Sequence, residues 1–370
     1  MSPFASRALL VVGGLTVGLA IAEIVARAFT PDPPQQKFSL NHDDEKAFYH
    51  CYDTNPHGEL GPLPDMDLEG WKLHDYQLPP KRLPMERRTD RPHCVEYKFN
   101  GHGFRDRDWG GTSSAAGSRT RIAMVGDSFV FGEGVPAKLT LPRKLDDELG
   151  DDYEVINAGL PGIDTASEVD IMYRLRAELG VQRAVVVYVL NDVPLVDDLR
   201  RAENEINDLI NLRRDTEGLA TETFKLPGLV LSAFRKHAIE MQTISWYQTI
   251  YDIRENGPSL KQLQSDLQKI AKIPGLEVTF VIYPLIYMLE EEYPFAGQHA
   301  RMKRMAEKLG IPVLDLRSTF QGQETSNMYV HPTDRHPSGR AHALAARAIA
   351  RWLKDEHPGF LRPLEPPAAR

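Results

Sequence analysis

The chain has 370 residues, of which 42% are hydrophobic and 26% charged, and its formal net charge is −8. These proportions exclude a mostly disordered chain and a polytopic membrane protein, and the acidic balance excludes a general nucleic-acid-binding surface. Two cysteines exclude a disulfide-dense scaffold and a Cys-rich zinc module, and at about 150 residues per domain the length predicts more than one domain.

The first predicted element is apolar. Ala8 to Ala22 carries no charge, Arg7 precedes it, and Glu23 and Arg27 follow. Read as a secretory segment, residues 1–30 end their apolar stretch in Ala20-Ile21-Ala22, which has the form of a cleavage site. Counted on to Phe29, the run reaches the roughly 20 residues a spanning helix needs, with Glu23 and Arg27 snorkelling toward the headgroups. The favoured expectation is an uncleaved membrane anchor through residues 8–29 with a cytoplasmic N-terminus; a cleaved signal and a buried core helix are the alternatives. Either export reading places residues 31–370 outside the cytoplasm. Oxidising compartments favour pairing, so Cys51 and Cys94 are expected to form a disulfide.

Residues 31–118 are rich in proline, charge and aromatics with weak periodicity, which predicts a stalk and an irregular N-terminal subdomain ending in the small-residue loop Gly110 to Ser118. A strand–helix alternation then runs over residues 119–356. The predicted strands are Arg121 to Val125, Glu154 to Asn157, Ala184 to Leu190, Glu277 to Leu285 and Pro312 to Leu316. Ala184 to Leu190 is a continuous apolar run suited to the middle of a parallel sheet. Predicted helices cover Asp164 to Leu179, Lys261 to Ile273, His299 to Leu309 and Ser338 to Leu353, opened by capping residues at Asp164 and Ser338. Residues 193–274 exceed what one crossover needs and predict a helical insertion, either a cover for the pocket or plain elaboration of the packing. Residues 357–370 form a Pro-rich tail. The alternation implies an α/β layered fold.

Parallel sheets bind ligands beyond the carboxyl ends of their strands, so the polar residues there are the candidates for chemistry. Strand one ends in Gly126-Asp127-Ser128, strand two in Asn157-Ala158-Gly159, and strand three in Asn191-Asp192; a late loop carries His331-Pro332-Thr333-Asp334-Arg335-His336-Pro337. A serine hydroxyl needs a base, imidazole has a suitable pKa, and an oxyanion needs preorganised N–H donors. The N–H groups of Ser128 and Gly159 and the side-chain amide of Asn191 are candidate donors.

In these blocks the chain resembles the SGNH, or GDSL-like, hydrolase family, of the membrane-anchored bacterial type. Gly126-Asp127-Ser128, Gly159, Asn191-Asp192 and Asp334 with His336-Pro337 match the family's four blocks in order, over about residues 119–355. The resemblance implies a three-layer α/β/α sandwich with a five-stranded parallel, flavodoxin-like sheet in the order 2-1-3-4-5. It implies Ser128 as nucleophile, His336 as base, Asp334 as the orienting carboxylate, and Ser128, Gly159 and Asn191 as the oxyanion hole. Asn100 to Arg105 resembles a lead-in segment of the anchored members, with a structural role. Two departures stand out: Thr333 occupies the slot three before the histidine, where the family's aspartate commonly sits, and Val189 replaces a glycine two before Asn191. Asp315 is the less favoured substitute for Asp334.

The resulting expectation is an extracytoplasmic serine esterase in a bacterial periplasm, acting on a small-molecule or glycan acyl ester. An O-acyltransferase acting on a cell-envelope glycan and a non-catalytic binding or assembly module are the rivals. Competing readings attend single residues: Ser128 as a helix cap, Asn191 as a loop residue, and Asp127 and Asp192 as structural acids. His331 reads as a surface or supporting histidine, His342 as a polar-face residue of the last helix, and Asp146-Asp147-Glu148 as a solvated helix end. No metal, nucleotide or flavin site is expected, since His331 and His336 do not share a helix face and no further ligand cluster lies near them.

Overall fold

The structure, a computed structural model, describes residues 18–19, 21–23, 37–42, 47–52, 54–62, 71–74, 93–109, 119–194, 241–248, 257–332 and 334–362. The chain divides into two compact units, Met1–Gln35 with Asp197–Trp246, and Gln36–Val196 with Tyr247–Arg370. Most of the first unit lies outside the described residues, as do most of the apolar run 8–29, the loop 110–118 and the core of the insertion 193–274. No helix among the described residues is long and apolar enough to cross a membrane.

The second unit holds two five-stranded sheets. The parallel one comprises β6 (Thr120–Gly126), β7 (Tyr153–Gly159), β8 (Arg183–Tyr188), β9 (Glu277–Ile282) and β10 (Val313–Asp315). Its order is β10-β9-β8-β6-β7, the expected 2-1-3-4-5 arrangement. Every residue of β8 is buried, which requires cover on both faces of the sheet. Helix α2 (Leu141–Leu149) packs with α7 (Gly339–Asp355), and α3 (Thr165–Leu179) with α4 (Pro258–Ile270). Helix α5 (Ala296–Glu307) lies against β9 and β10. Val185, Val186 and Val187 are fully buried at the sheet centre, where burial of each is worth about 1.5–3 kcal/mol.

The helix ends follow the capping chemistry of the sequence. Asp164 accepts the N–H of Ser167 at the start of α3, and Gly180 closes that helix in a left-handed conformation. Ser338 accepts the N–H of Ala341 at the start of α7.

Five strands within the stretch 37–98, which was expected to be irregular, instead form an antiparallel sheet. Strands β1 (Lys37–His42), β2 (Ala47–Tyr52), β3 (Gly61–Pro62), β4 (Trp71–His74) and β5 (His93–Lys98) are ordered β3-β5-β2-β1-β4. Cys51 opposes Cys94 in the β2–β5 ladder, and the two form a disulfide. The strands are short and mix aromatic, charged and small residues, so no alternating signal stands out along the chain. A further small ladder joins β11 (Tyr329–His331) to β12 (Asp334–Pro337), where the sequence, punctuated by two prolines, reads as loop.

Three single-residue readings are corrected. His331 is buried, its Nε2 bonded to Thr54 Oγ1 at 2.7 Å, so it is not a surface histidine. His342 is fully buried, neither ring nitrogen meeting a partner among the described residues, and burial holds its pKa down near 3, aided by Arg105 and His336. It lies on the buried face of α7 with Ala341, Ala345 and Ile349, whereas Arg340, Arg347 and Arg351 are exposed. Asp146 is not a solvated helix end: it accepts the Val155 N–H at 2.7 Å and pairs with Arg107 and Arg143.

Candidate active site

The chain leaves β6 at Gly126, where any Cβ would fall 2.6 Å from the Val187 carbonyl oxygen and 2.7 Å from Val130. Asp127 then caps α1 (Ser128–Phe131) by accepting the Phe129 N–H at 2.8 Å. Ser128 is thus the first residue of the turn and not its cap, at the carboxyl end of the sheet. The turn itself is clamped. The buried Arg105 guanidinium donates to the carbonyls of Phe131, Gly132 and Val135 at 3.2, 2.5 and 2.6 Å, and its charged head lies 4.2 Å from the centre of the Tyr97 ring. Burial lowers the Arg105 pKa to about 10, which leaves it cationic at neutral pH. Tyr97 Oη accepts the Gly134 N–H at 2.6 Å.

His336 arrives on β12. His336 Nε2 is 2.9 Å from Ser128 Oγ, and Nδ1 is 2.5 Å from Asp334 Oδ1. The tautomer follows: with Nδ1–H donated to the carboxylate, Nε2 is free to accept the serine hydroxyl proton. The two-residue spacing of Asp334 and His336 has a direct cause. They lie on a strand, where residues two apart point to one face, so the aspartate need not sit three back. Asp334 is buried, and its Oδ1 also accepts the His336 N–H at 3.1 Å. Asp315 is not its substitute: it bonds His299 Nδ1 at 2.8 Å. Burial pushes the Asp315 carboxyl up, but the bonds from His299 and the Arg317 N–H outweigh it and the net shift is downward.

Asn191 lies in a 3-10 turn (Leu190–Asp192) after β8 and donates from Nδ2 to Asp127 Oδ2 at 2.7 Å, next to Ser128. Gly159 is placed differently from expectation. Its N–H is taken by Asn157 Oδ1 at 3.0 Å, and a Cβ there would fall 2.2 Å from the Phe131 nitrogen. Gly159 is therefore the residue that lets α1 lie on β7, and its amide is already used. Gly162, three residues on, is exposed, has φ +72°, and donates to none of the described groups. Its place after the strand and beyond Pro161 is the signal in the sequence that sets it apart from the glycine inside the strand.

Behind Ser128 three acids are fully buried: Asp127, Glu168 and Asp192. Burial pushes each pKa up, and mutual repulsion raises Glu168 and Asp192 further. Asp192 is hydrogen-bonded to Asp127 and accepts the Val189 N–H at 2.7 Å, whereas neither carboxylate oxygen of Glu168 meets a partner among the described residues. Asp127 and Asp192 are thus structural acids of the Ser128 turn.

At the mouth, Glu133 Oε2 is 3.5 Å from His336 Nε2. Ligand atoms of His50, Glu133 and Asp334 lie within 4.8 Å of one another, the one group among the described residues with that geometry. Asp334 already bonds His336 through Oδ1 and Tyr52 through Oδ2. A cavity of about 290 Å³ lined by Pro284, Leu289, Tyr293, Ala296 and Arg317 includes none of these residues.

No family model matches the chain, and no curated protein matches it. Solved structures do. An aryl esterase of M. smegmatis is 14% identical, with 64% of this chain and 98% of that one covered and a TM-score of 0.34. Est24, a carbohydrate acetylesterase from Sinorhizobium meliloti, is 12% identical over 64% of this chain and 99% of that one, with a TM-score of 0.35. TesA is 16% identical over 62% and 97%, again at 0.35. Likenesses of this strength carry no weight for function, which has to be read from the site itself.

Proposed function

We propose that this chain is a serine hydrolase of acyl esters, of the SGNH type. The observation that carries the reading is the unbroken relay Ser128 Oγ–His336–Asp334, at 2.9 and 2.5 Å, built from residues 208 and 2 positions apart. In the proposed reaction His336 Nε2 takes the Ser128 proton as Oγ attacks the ester carbonyl. The protonated imidazole then gives that proton to the departing alcohol, and water repeats the sequence on the acyl-enzyme. Asp334 holds the imidazole in its working tautomer throughout.

The oxyanion donors in this reading are the Ser128 N–H, the Asn191 amide and, in place of Gly159, the N–H of Gly162. The Asn191 Nδ2 has two hydrogens, and one remains after the bond to Asp127. The disulfide and the apolar run 8–29 support an export reading, with the site outside the cytoplasm.

The test is Ser128→Ala with short-chain aryl esters and a fluorophosphonate probe. Wild type is expected to be labelled and to release free acid; the variant should keep its fold, lose labelling and lose about 10⁴-fold or more in kcat. Unchanged ester hydrolysis by the variant would end this reading. Recovery of the acyl group on an added glycan instead of as free acid would reassign the second step to transfer.

A further inference from the structure

The triad acid has a second oxygen, and what holds it lies in the other sheet. Asp334 Oδ1 is used by the His336 ring and by the His336 N–H. Oδ2 is buried in the same interior, where an unbonded carboxylate oxygen is costly. The phenol of Tyr52 donates to it at 2.8 Å, and His50 Nε2 stands 3.8 Å away. Tyr52 and His50 share one face of β2, two positions apart, and both are buried.

Three further features aim that phenol. Tyr52 packs in a small apolar cluster with Val135 and Val330, one from the nucleophile loop and one from β11. Gly134 leaves room for the hydroxyl: a Cβ at that position would lie 2.6 Å from Tyr52 Oη. The register of β2 on β5 sets Tyr52 opposite His93, one step from the Cys51–Cys94 disulfide. Burial and the neighbouring Asp334 push the Tyr52 pKa well up, so the phenol is a donor at any working pH.

We infer that Tyr52 is a positioning residue of this active site, supplied by the antiparallel sheet, whose O–H fixes the Asp334 carboxylate and tempers its hold on the His336 imidazolium. This rests on the hydrolase reading above. It also explains how an aspartate two residues from the histidine serves. The strand sets the direction of the carboxylate, and Tyr52 sets its rotation, so that Oδ1 faces Nδ1.

The consequence for the reaction has a sign. A donor on Oδ2 draws charge from the carboxylate. Without it, Asp334 binds the protonated imidazole more tightly, and more alkaline solution is needed to free the base. The experiment is Tyr52→Phe, with Tyr49→Phe as control, since Tyr49 sits on the opposite face of β2 and bonds Glu96 at 3.2 Å. Tyr52→Phe is expected to lower kcat roughly tenfold with KM within about twofold, the scale expected when a charged acceptor loses one buried donor. The acidic limb of its kcat/KM–pH profile should move to higher pH, and the control should do neither.

Wild-type kcat with an unmoved limb in Tyr52→Phe would overturn the inference. So would a lower kcat with an unmoved limb and a matching fall in Tm, which is the behaviour of a packing residue. Ser128→Ala run in parallel separates the two claims. If it abolishes turnover while Tyr52→Phe is silent, only the role of Tyr52 fails; if it stays active, the hydrolase reading itself is wrong.

Discussion

The two sheets divide the labour differently. In the proposed reaction the parallel sheet delivers reacting groups from strand ends: Ser128 after β6 and Asn191 after β8. The antiparallel sheet and the segment that follows it deliver no reacting group. They deliver Tyr52 to Asp334, Tyr97 to Gly134 and Arg105 to three carbonyls of the nucleophile turn. Thr54, His57 and Glu59 add bonds to His331, to the Tyr329 carbonyl and to the Gly339 N–H. A continuous apolar sheet makes a rigid edge, but a rigid edge alone does not orient a carboxylate. In this chain that orientation is imported from a region with little core of its own.

Changes in each region test that division. The largest effect belongs to Ser128→Ala, which should abolish turnover while leaving the thermal midpoint near wild type; a large fall in Tm would mean the turn is structural. Next is Asn191→Ala. Losing one oxyanion donor costs about 10²–10³ in kcat, and KM should change little. A loss under about tenfold would show Asn191 to be mainly a ligand of Asp127.

The third change lies in the antiparallel sheet. Cys51 and Cys94 are 43 positions apart, and opening such a loop costs about 2–4 kcal/mol. Cys51→Ser with Cys94→Ser should therefore lower Tm and, through Tyr52, lower kcat in the same direction as Tyr52→Phe. If activity per folded molecule were unchanged, the two sheets would be coupled for stability alone.

The smallest expected effect returns to the parallel domain. Glu168 has a raised pKa through burial first, then repulsion from Asp127, Asp164 and Asp266. A carboxyl raised in the folded state contributes fully below its unfolded pKa, and that contribution is lost as pH rises through the folded value. Glutamine cannot ionise. The Tm of Glu168→Gln relative to wild type should therefore climb as pH rises above the ordinary carboxylate range, with kcat unchanged. A flat difference above that range would show that Glu168 is not held protonated.

Legibility in the sequence followed the same boundary. Strands β6 and β8 announce themselves because they are buried on both faces, so the apolar signal is continuous, as in Ala184 to Val187. Ser128 and Asn191 were read from the polar residues that follow these strands, and Asp334 and His336 from the His-Pro segment before the last long helix. The antiparallel strands hide because β2 and β5 pair across some forty residues of Pro- and charge-rich chain, and a ladder so distant leaves no local trace. Asp334 to Pro337 read as loop because prolines flank it, although one neighbour strand suffices to make it extended. Gly159 was given an oxyanion role because composition does not separate a glycine needed for close packing from one needed for an exposed amide. His342 looked polar by its side chain alone, although Ala345, Ala346 and Ile349 share its face of the helix and Arg340, Arg347 and Arg351 mark the exposed one.

The Arg105 clamp has a practical corollary for anyone who would excise or transplant this site. A fragment opening at Arg119 would carry serine, asparagine, aspartate and histidine, every group that motif-matching looks for. It would also leave the carbonyls of Phe131, Gly132 and Val135 facing an abandoned cavity, with no guanidinium to receive them. The minimal transferable unit is thus wider than the stretch that bears the signature, and its upstream border falls among strands that no signature marks.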